Sequence, residues 1–162
     1  MSDKKRDVMI RKAQEKDIEK ILDLLRQVNL VHHIGRPDLF EKTTKYDREE
    51  LLGILGDSSR PVVVATDGDD QVLGYAFCEI TESHSSLFVP HKTLYIDDLC
   101  VDETLRGRHI GRRLYSAVRD LARESGCHHI TLNVWSCNPA AMAFYERIGL
   151  KPYKVGMEEV LD

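Results

Sequence analysis

The chain lacks what several common protein classes require. No apolar run approaches the roughly 20 residues of a membrane span, so no spanning helix is expected. Positive charge is not in surplus: 23 Lys and Arg stand against 27 Asp and Glu, a net charge of -4, which argues against a general nucleic-acid binder. The four cysteines, Cys78, Cys100, Cys127 and Cys137, form no CxxC pair, and no HExxH or Cys/His zinc spacing occurs. Neighbours in a strand point to opposite faces, so the adjacent pairs His32-His33 and His128-His129 make poor chelates. No metal site is expected. The polar start, Met1 to Asp7, has no apolar segment of the kind a signal peptide carries. The expected location is therefore the cytosol, with the cysteines as free, mostly buried thiols.

What remains is an ordinary globular composition. The 162 residues are 42% hydrophobic and 31% charged, enough for one domain, residues 1–162, with a real core. Val8 to Ala13 reads as a strand. Asp17 to Val28 carries Ile18, Ile21, Leu22, Leu25 and Val28 at helical spacing. Asn29 to Thr44, with Gly35 and Pro37, reads as a loop or broken helix, and Asp47 to Leu55 as a short helix. Pro61 to Thr66 and Gln71 to Ile80 are strands joined by the turn Asp67-Gly68-Asp69-Asp70. Thr93 to Val101 is a further strand. Ile110, Leu114, Val118 and Leu121 stripe a helix that Gly126 ends. Ile130 to Trp135 is a strand, Asn138-Pro139 opens a helix that Gly149 closes, and Lys151 to Leu161 is expected to add a last strand. The second half therefore alternates strand and helix, which predicts parallel pairing, while the first half reads as antiparallel. The expected fold class is α/β, a mixed, partly parallel sheet of six to seven strands with helices on both faces.

The most informative stretch is Arg106 to Arg113, RGRHIGRR, which follows a strand and opens a helix. Helix N-termini favour acids, so four arginines there oppose the macrodipole. An anionic ligand resolves the conflict, with backbone N–H groups and guanidinium groups together holding a phosphate or pyrophosphate. The motif is neither a Walker A loop nor the dinucleotide GxGxxG. A solvated basic turn and a small nucleic-acid patch are the plainer readings beside it.

The run Tyr95 to Arg113, YIDDLCVDETLRGRHIGRR, resembles the coenzyme A-binding motif of the GNAT superfamily of N-acetyltransferases, Gln/Arg-x-x-Gly-x-Gly/Ala. Here it stands as Arg106-x-x-His109-x-Gly111, with His109 in the place of a glycine. Asn138 to Leu150, NPAAMAFYERIGL, is similar to the family's late helix. The resemblance is strong from Thr93 onward and weak before Pro61. It implies a GNAT-like fold and acetyl-coenzyme A as co-substrate. It implies that the loop amides of Gly107, Arg108, His109, Ile110, Gly111 and Arg112, with Arg106 beside them, hold the pyrophosphate. It implies that the strand Leu99, Cys100, Val101 pairs with the pantetheine arm, that the Leu99 amide polarises the thioester carbonyl, and that Asn138 helps hold the cofactor. Tyr145 takes the place of the family's general acid, against the plainer reading of a core tyrosine beside Ala141, Phe144 and Ile148.

A free alkyl amine has a pKa near about 10.4 and must lose a proton before it can attack. Asp97 and Asp98 interrupt an apolar strand, where carboxylates are costly unless partnered or functional. Strict alternation groups Asp97 with Tyr95, Leu99 and Val101, and Asp98 with Leu94, Ile96 and Cys100, unless a bulge resets the parity. The run IDDLCV most resembles the Leu-Glu-Asp-Leu-Tyr-Val strand of polyamine-type acetyltransferases, which puts Asp97 in the place of the glutamate base. Asp98 or water as the base stays open. Glu79, Glu82, Asp97, Asp98, Asp102 and Glu103 are either an anionic cleft or a solvated surface. The loop His32 to Phe40 falls where family members build the acceptor wall. The resemblance thus implies direct transfer of an acetyl group to a primary amine of a small molecule or peptide, with no nucleic-acid or membrane partner and a homodimer as an allowed assembly. The alternative is a non-catalytic acyl-coenzyme A-binding regulatory module.

Overall fold

In the computed structural model, residues 7–161 are described; the rest of the polar start, Met1 to Arg6, lies outside them. The strands are β1 (Met9–Lys12), β2 (Val62–Thr66), β3 (Val72–Glu82), β4 (Lys92–Val101) and β5 (His129–Leu132). The helices are α1 (Ile18–Gly35), α2 (Arg48–Leu55), α3 (Ile110–Glu124) and α4 (Pro139–Arg147). The strands form one sheet in the order β1-β2-β3-β4-β5. Pairing is antiparallel up to β4, and β4 pairs with β5 in parallel, with α3 as the crossover between them.

Alternation along the strands supplies two apolar faces, and helices cover both. On one face Ile18, Ile21, Leu24 and Leu25 of α1 and Leu51 and Ile54 of α2 pack on Val64, Tyr75 and Cys100. On the other, Ile110, Leu114, Tyr115 and Val118 of α3 pack on Ala65, Leu73, Ala76, Leu94 and Ile96. Each fully buried Leu or Ile contributes about 1.5–3 kcal/mol of transfer free energy, so the two helical stripes hold the layers together. Capping fixes where helices start. The Asp47 carboxylate accepts the Glu50 amide at 2.8 Å and the Glu50 carboxylate accepts the Asp47 amide at 2.8 Å, a reciprocal box at the head of α2.

The mixed sheet with helices on both faces is as the sequence predicts, but it has five strands, not six to seven, among the described residues. Lys151 to Leu161 is not a strand. Pro152 has no N–H to donate to a ladder. The alternating Tyr153, Val155 and Met157 face no sheet and are 62%, 76% and 89% exposed. β5 is also shorter than expected, ending at Leu132. The helix α1, by contrast, runs on through the expected break to Gly35. Asn29 is tolerated inside it because its side-chain amide turns outward and donates to the Glu41 carbonyl at 2.7 Å. Pro37 comes just after the helix has ended.

Candidate active site

The centre of the site is an irregularity in β4. Phe77 pairs with Asp98 and Cys78 with Ile96, so Asp97 is an extra residue with no partner on β3. A bulge resets alternation. Leu94 and Ile96 point to the α3 face, but beyond the bulge Leu99 takes that face and Cys100 points to α1. Both aspartates therefore reach the α1 side, and the strict alternation that separates them does not hold. Asp98 accepts a hydrogen bond from the Tyr75 hydroxyl at 2.8 Å. Asp97 accepts from the Tyr46 hydroxyl at 2.6 Å and pairs with the Lys45 ammonium at 2.7 Å, both from the segment between α1 and α2.

The same bulge marks the end of pairing with β5. The parallel ladder runs from Thr93↔His129 to Ile96↔Leu132 and stops. Leu99, Cys100 and Val101 stay paired to β3 but have an open edge on the β5 side. The opening is where an extended ligand arm can pair with backbone.

Directly above this edge lies the arginine loop. Gly107 (φ 80°) and His109 (φ 60°) are both left-handed, with Arg108 between them. Alternating handedness turns successive amides toward one side, a concavity suited to an anion. The amides of Gly107, Arg108, His109, Ile110, Gly111 and Arg112 find no acceptor among the described residues. Arg106, Arg108, Arg112 and Arg113 are exposed and, among the described residues, none is ion-paired. His109 is thus not in the ordinary helical conformation that a β-carbon would favour. The loop needs a left-handed residue there, which is why glycine suits the position and why histidine is strained. Gly111 has a second reason: a β-carbon on it would lie 3.1 Å from the Phe144 ring of α4.

Tyr145 is buried on α4 and lies within electrostatic reach of Asp98, Cys100 and Tyr115. Burial, and then the Asp98 charge, push its pKa above the usual phenol range, so it stays protonated. Its hydroxyl has no hydrogen-bond partner among the described residues, yet is not sealed off. Asp98 keeps part of its surface open. Loss of hydration pushes its pKa up to about 6, against the opposing pull of Tyr75 and Lys45. The Cys100 thiol is pushed up to about 12 by burial and then by Asp98. Asn138 caps α4, accepting the Ala141 amide at 3.2 Å, which leaves its side-chain NH2 free.

On the acceptor side, the end of α1 folds against the segment that follows β5, with Gly35 close to Cys137. His32 stacks on Phe40, and Phe40 meets Trp135 edge-on, both at 5.0 Å between ring centres. The His33 ring pairs with the Phe40 carbonyl at 2.7 Å. The His32 ring lies within electrostatic reach of Lys45, which holds Asp97, so this cluster borders the Asp97 side of the site. The six acidic residues do not form one anionic cleft. Asp102 pairs with Lys20 at 2.6 Å and Glu82 with Lys92 at 3.2 Å, while Glu79 lines a cavity with Tyr95, Thr131 and Asn133, apart from the aspartate pair. Sequence reasoning did not single out Tyr46, Lys45 or Tyr75. Tyr75 had a signal, a hydroxyl inside the apolar run VLGYAFC that would need a buried partner. Among the described residues no group of three His, Cys, Asp or Glu is arranged to hold a metal ion.

Residues 13–150 match the acetyltransferase (GNAT) family profile. The chain is 29% identical over 154 residues to the thialysine N-epsilon-acetyltransferase of Bos taurus, covering 88% of this chain and 83% of that protein. It is 21% identical to the glucosamine 6-phosphate N-acetyltransferase of Arabidopsis thaliana, covering 94% and 96%. The crystal structure of a mutant of a Bacillus halodurans protein superposes with a TM-score of 0.91 at 30% identity, covering 94% of this chain and 99% of that one.

Proposed function

The chain belongs to the acetyltransferase (GNAT) family, and from that premise we propose that it transfers the acetyl group of acetyl-coenzyme A directly to a primary amine of a small molecule or peptide. The observation that carries this reading is the row of unpartnered amides from Gly107 to Arg112, framed by unpaired arginines and set beside the open edge of β4. Those amides with Arg106 would hold the pyrophosphate, and Leu99, Cys100 and Val101 would pair with the pantetheine arm. The Leu99 amide would polarise the thioester carbonyl, and the free side-chain NH2 of Asn138 would help hold the arm. When bound, acetyl-coenzyme A supplies an activated acetyl thioester.

The chain's own residues meet the remaining demands. Tyr145, held protonated by burial, donates a proton to the departing thiolate. A free phenol near two β4 groups favours an enzyme over a non-catalytic binding module. Asp97, with the Phe40–Trp135 cluster bordering its side of the site, faces the amine and orients it. The relatives' acceptors, thialysine and glucosamine 6-phosphate by their names, are both small amines. We read residues 1–162 as one domain, with a homodimer as an allowed assembly, acting in the cytosol, where its four free cysteines stay reduced. Thermal melting tests the binding half of this reading. A ligand at about 100 times its Kd adds roughly 2.7 kcal/mol, so acetyl-coenzyme A and coenzyme A should raise the midpoint and ATP should not. No shift at millimolar coenzyme A would rule the reading out.

A further inference from the structure

Asp97 stands in the place of the base, but the protein already engages its carboxylate. One carboxylate oxygen is held by Lys45 at 2.7 Å and the other by the Tyr46 hydroxyl at 2.6 Å. Both oxygens are thus occupied by donors of the protein itself. Asp98 is different. One oxygen accepts Tyr75; apart from the Leu99 backbone amide, nothing else among the described residues bonds to it, and the residue is only partly buried. The bulge turns it to the same side as Asp97 instead of into the α3 core. Tyr145, the proton donor, lies across from it on α4.

We propose that Asp98 is the general base, taking the acceptor's proton directly or through one water, while Asp97 holds the acceptor in place. This rests on the acetyltransferase reading above. The step balances within the site. The amine nitrogen bonds to the acetyl carbon and the carbon–sulfur bond breaks. The proton leaving nitrogen passes to the Asp98 carboxylate, and the Tyr145 proton passes to the thiolate. Deprotonated Tyr145 and protonated Asp98 then return to their starting forms by exchange with each other or with solvent. The charged and titratable groups bearing on Asp98 are Tyr75 from β3, Asp97 and Cys100 from β4, Lys45 ahead of α2 and Tyr145 from α4. Burial opposes its ionised form most and Asp97 adds to that; Tyr75, Lys45 and the Leu99 amide favour it but are outweighed.

The test is the ratio of parent to Asp98→Asn kcat/KM between pH 5 and 8, with product followed chromatographically on one amine the parent accepts. Ionisation of the amine itself cancels in that ratio. Above pH 7 the ratio should be constant at about 100-fold or more, the usual worth of a positioned base. Below about pH 6 it should fall roughly tenfold per unit, as Asp98 in the parent takes up its own proton. Tyr75→Phe removes a bond that favours the carboxylate, so its acid limb should move to higher pH. Asp97→Asn should raise KM and keep the limb. A parent-to-Asp98→Asn ratio near one at every pH would overturn the assignment and leave the acetyltransferase reading standing. So would an acid limb lost in Asp97→Asn and kept in Asp98→Asn. A parent that acetylates no amine would overturn both readings.

Discussion

Two side chains carry the most specific expectations at the scale of single residues. Tyr145→Phe keeps the ring and its packing and loses only the hydroxyl. Turnover should fall by about 100-fold or more with coenzyme A affinity nearly unchanged, measured by steady-state kinetics beside calorimetry. Full activity at all pH values would return Tyr145 to a purely structural part. His109 is the second. Its left-handed backbone costs an L-residue about 1–2 kcal/mol, which glycine does not incur. The more flexible unfolded chain of a glycine variant offsets roughly 0.5–1 kcal/mol of that gain. His109→Gly should therefore melt at or slightly above the parent and bind coenzyme A as well, whereas His109→Ala should gain nothing. The sequence points to Tyr145 and to the arginine loop because motif and chemistry agree there. It does not show that Tyr46, Lys45 and Tyr75 surround the aspartates, since those partners lie 51, 52 and 23 residues away. Contacts of that span follow from register, and a single bulged residue, Asp97, decides the register here.

Elements follow the sequence where periodicity and capping reinforce each other. The α3 stripe, the short helix at Asp47 to Leu55 and the Asn138-Pro139 start are legible, and the structure has each of them, with Asp47 as the cap of α2. The misreadings lie where local signals are ambiguous. Gly35, Pro37 and few regular apolar positions suggest a loop or broken helix from Asn29 on, but α1 continues to Gly35 with the Asn29 side chain turned away from its backbone. Lys151 to Leu161 alternates like a strand, but alternation alone provides no neighbouring edge. The junction of α3 with α4 is likewise invisible in the sequence, because Gly111 reads as a phosphate-loop glycine. A β-carbon there meets the Phe144 ring at 3.1 and 3.2 Å, so the two helices must part slightly. Crowding of the ring offsets the roughly 0.5–1 kcal/mol that alanine gains over glycine in a helix, so Gly111→Ala should stay within about 1 kcal/mol of the parent. Phe144→Leu makes room for the methyl, so a double-mutant cycle in urea should give a coupling of about 0.5 kcal/mol or more. Strict additivity would show that the ring does not set the spacing.

The whole molecule is tied together at the edge of its sheet by one ion pair. Arg11 of β1 holds Asp17, which is 4% exposed, through bonds of 2.8 and 2.9 Å, and also reaches Asp70 in the β2–β3 turn at 2.8 Å. Burial alone would raise the Asp17 pKa, but Arg11, with the Gln14 amide, holds it below the usual carboxylate range. A depressed folded pKa stabilises the protein above the unfolded value, near about 4, and that stability is lost as pH falls through the folded value. Arg11→Met strands the buried carboxylate and should cost about 3 kcal/mol near pH 7. Its loss on acidification below pH 4 should be shallower than the parent's in urea titrations at each pH. The same sheet opens between β4 and β5, where the proposed cofactor arm would pair. The direct measurement is acetyl transfer itself: a panel of primary amines, including thialysine and glucosamine 6-phosphate, incubated with acetyl-coenzyme A and followed by coenzyme A thiol release and by the mass of the product. The structure predicts at least one amine that gains an acetyl group at a rate well above background, with stoichiometric thiol release. Tight coenzyme A binding with no acetylated product from any amine would contradict it.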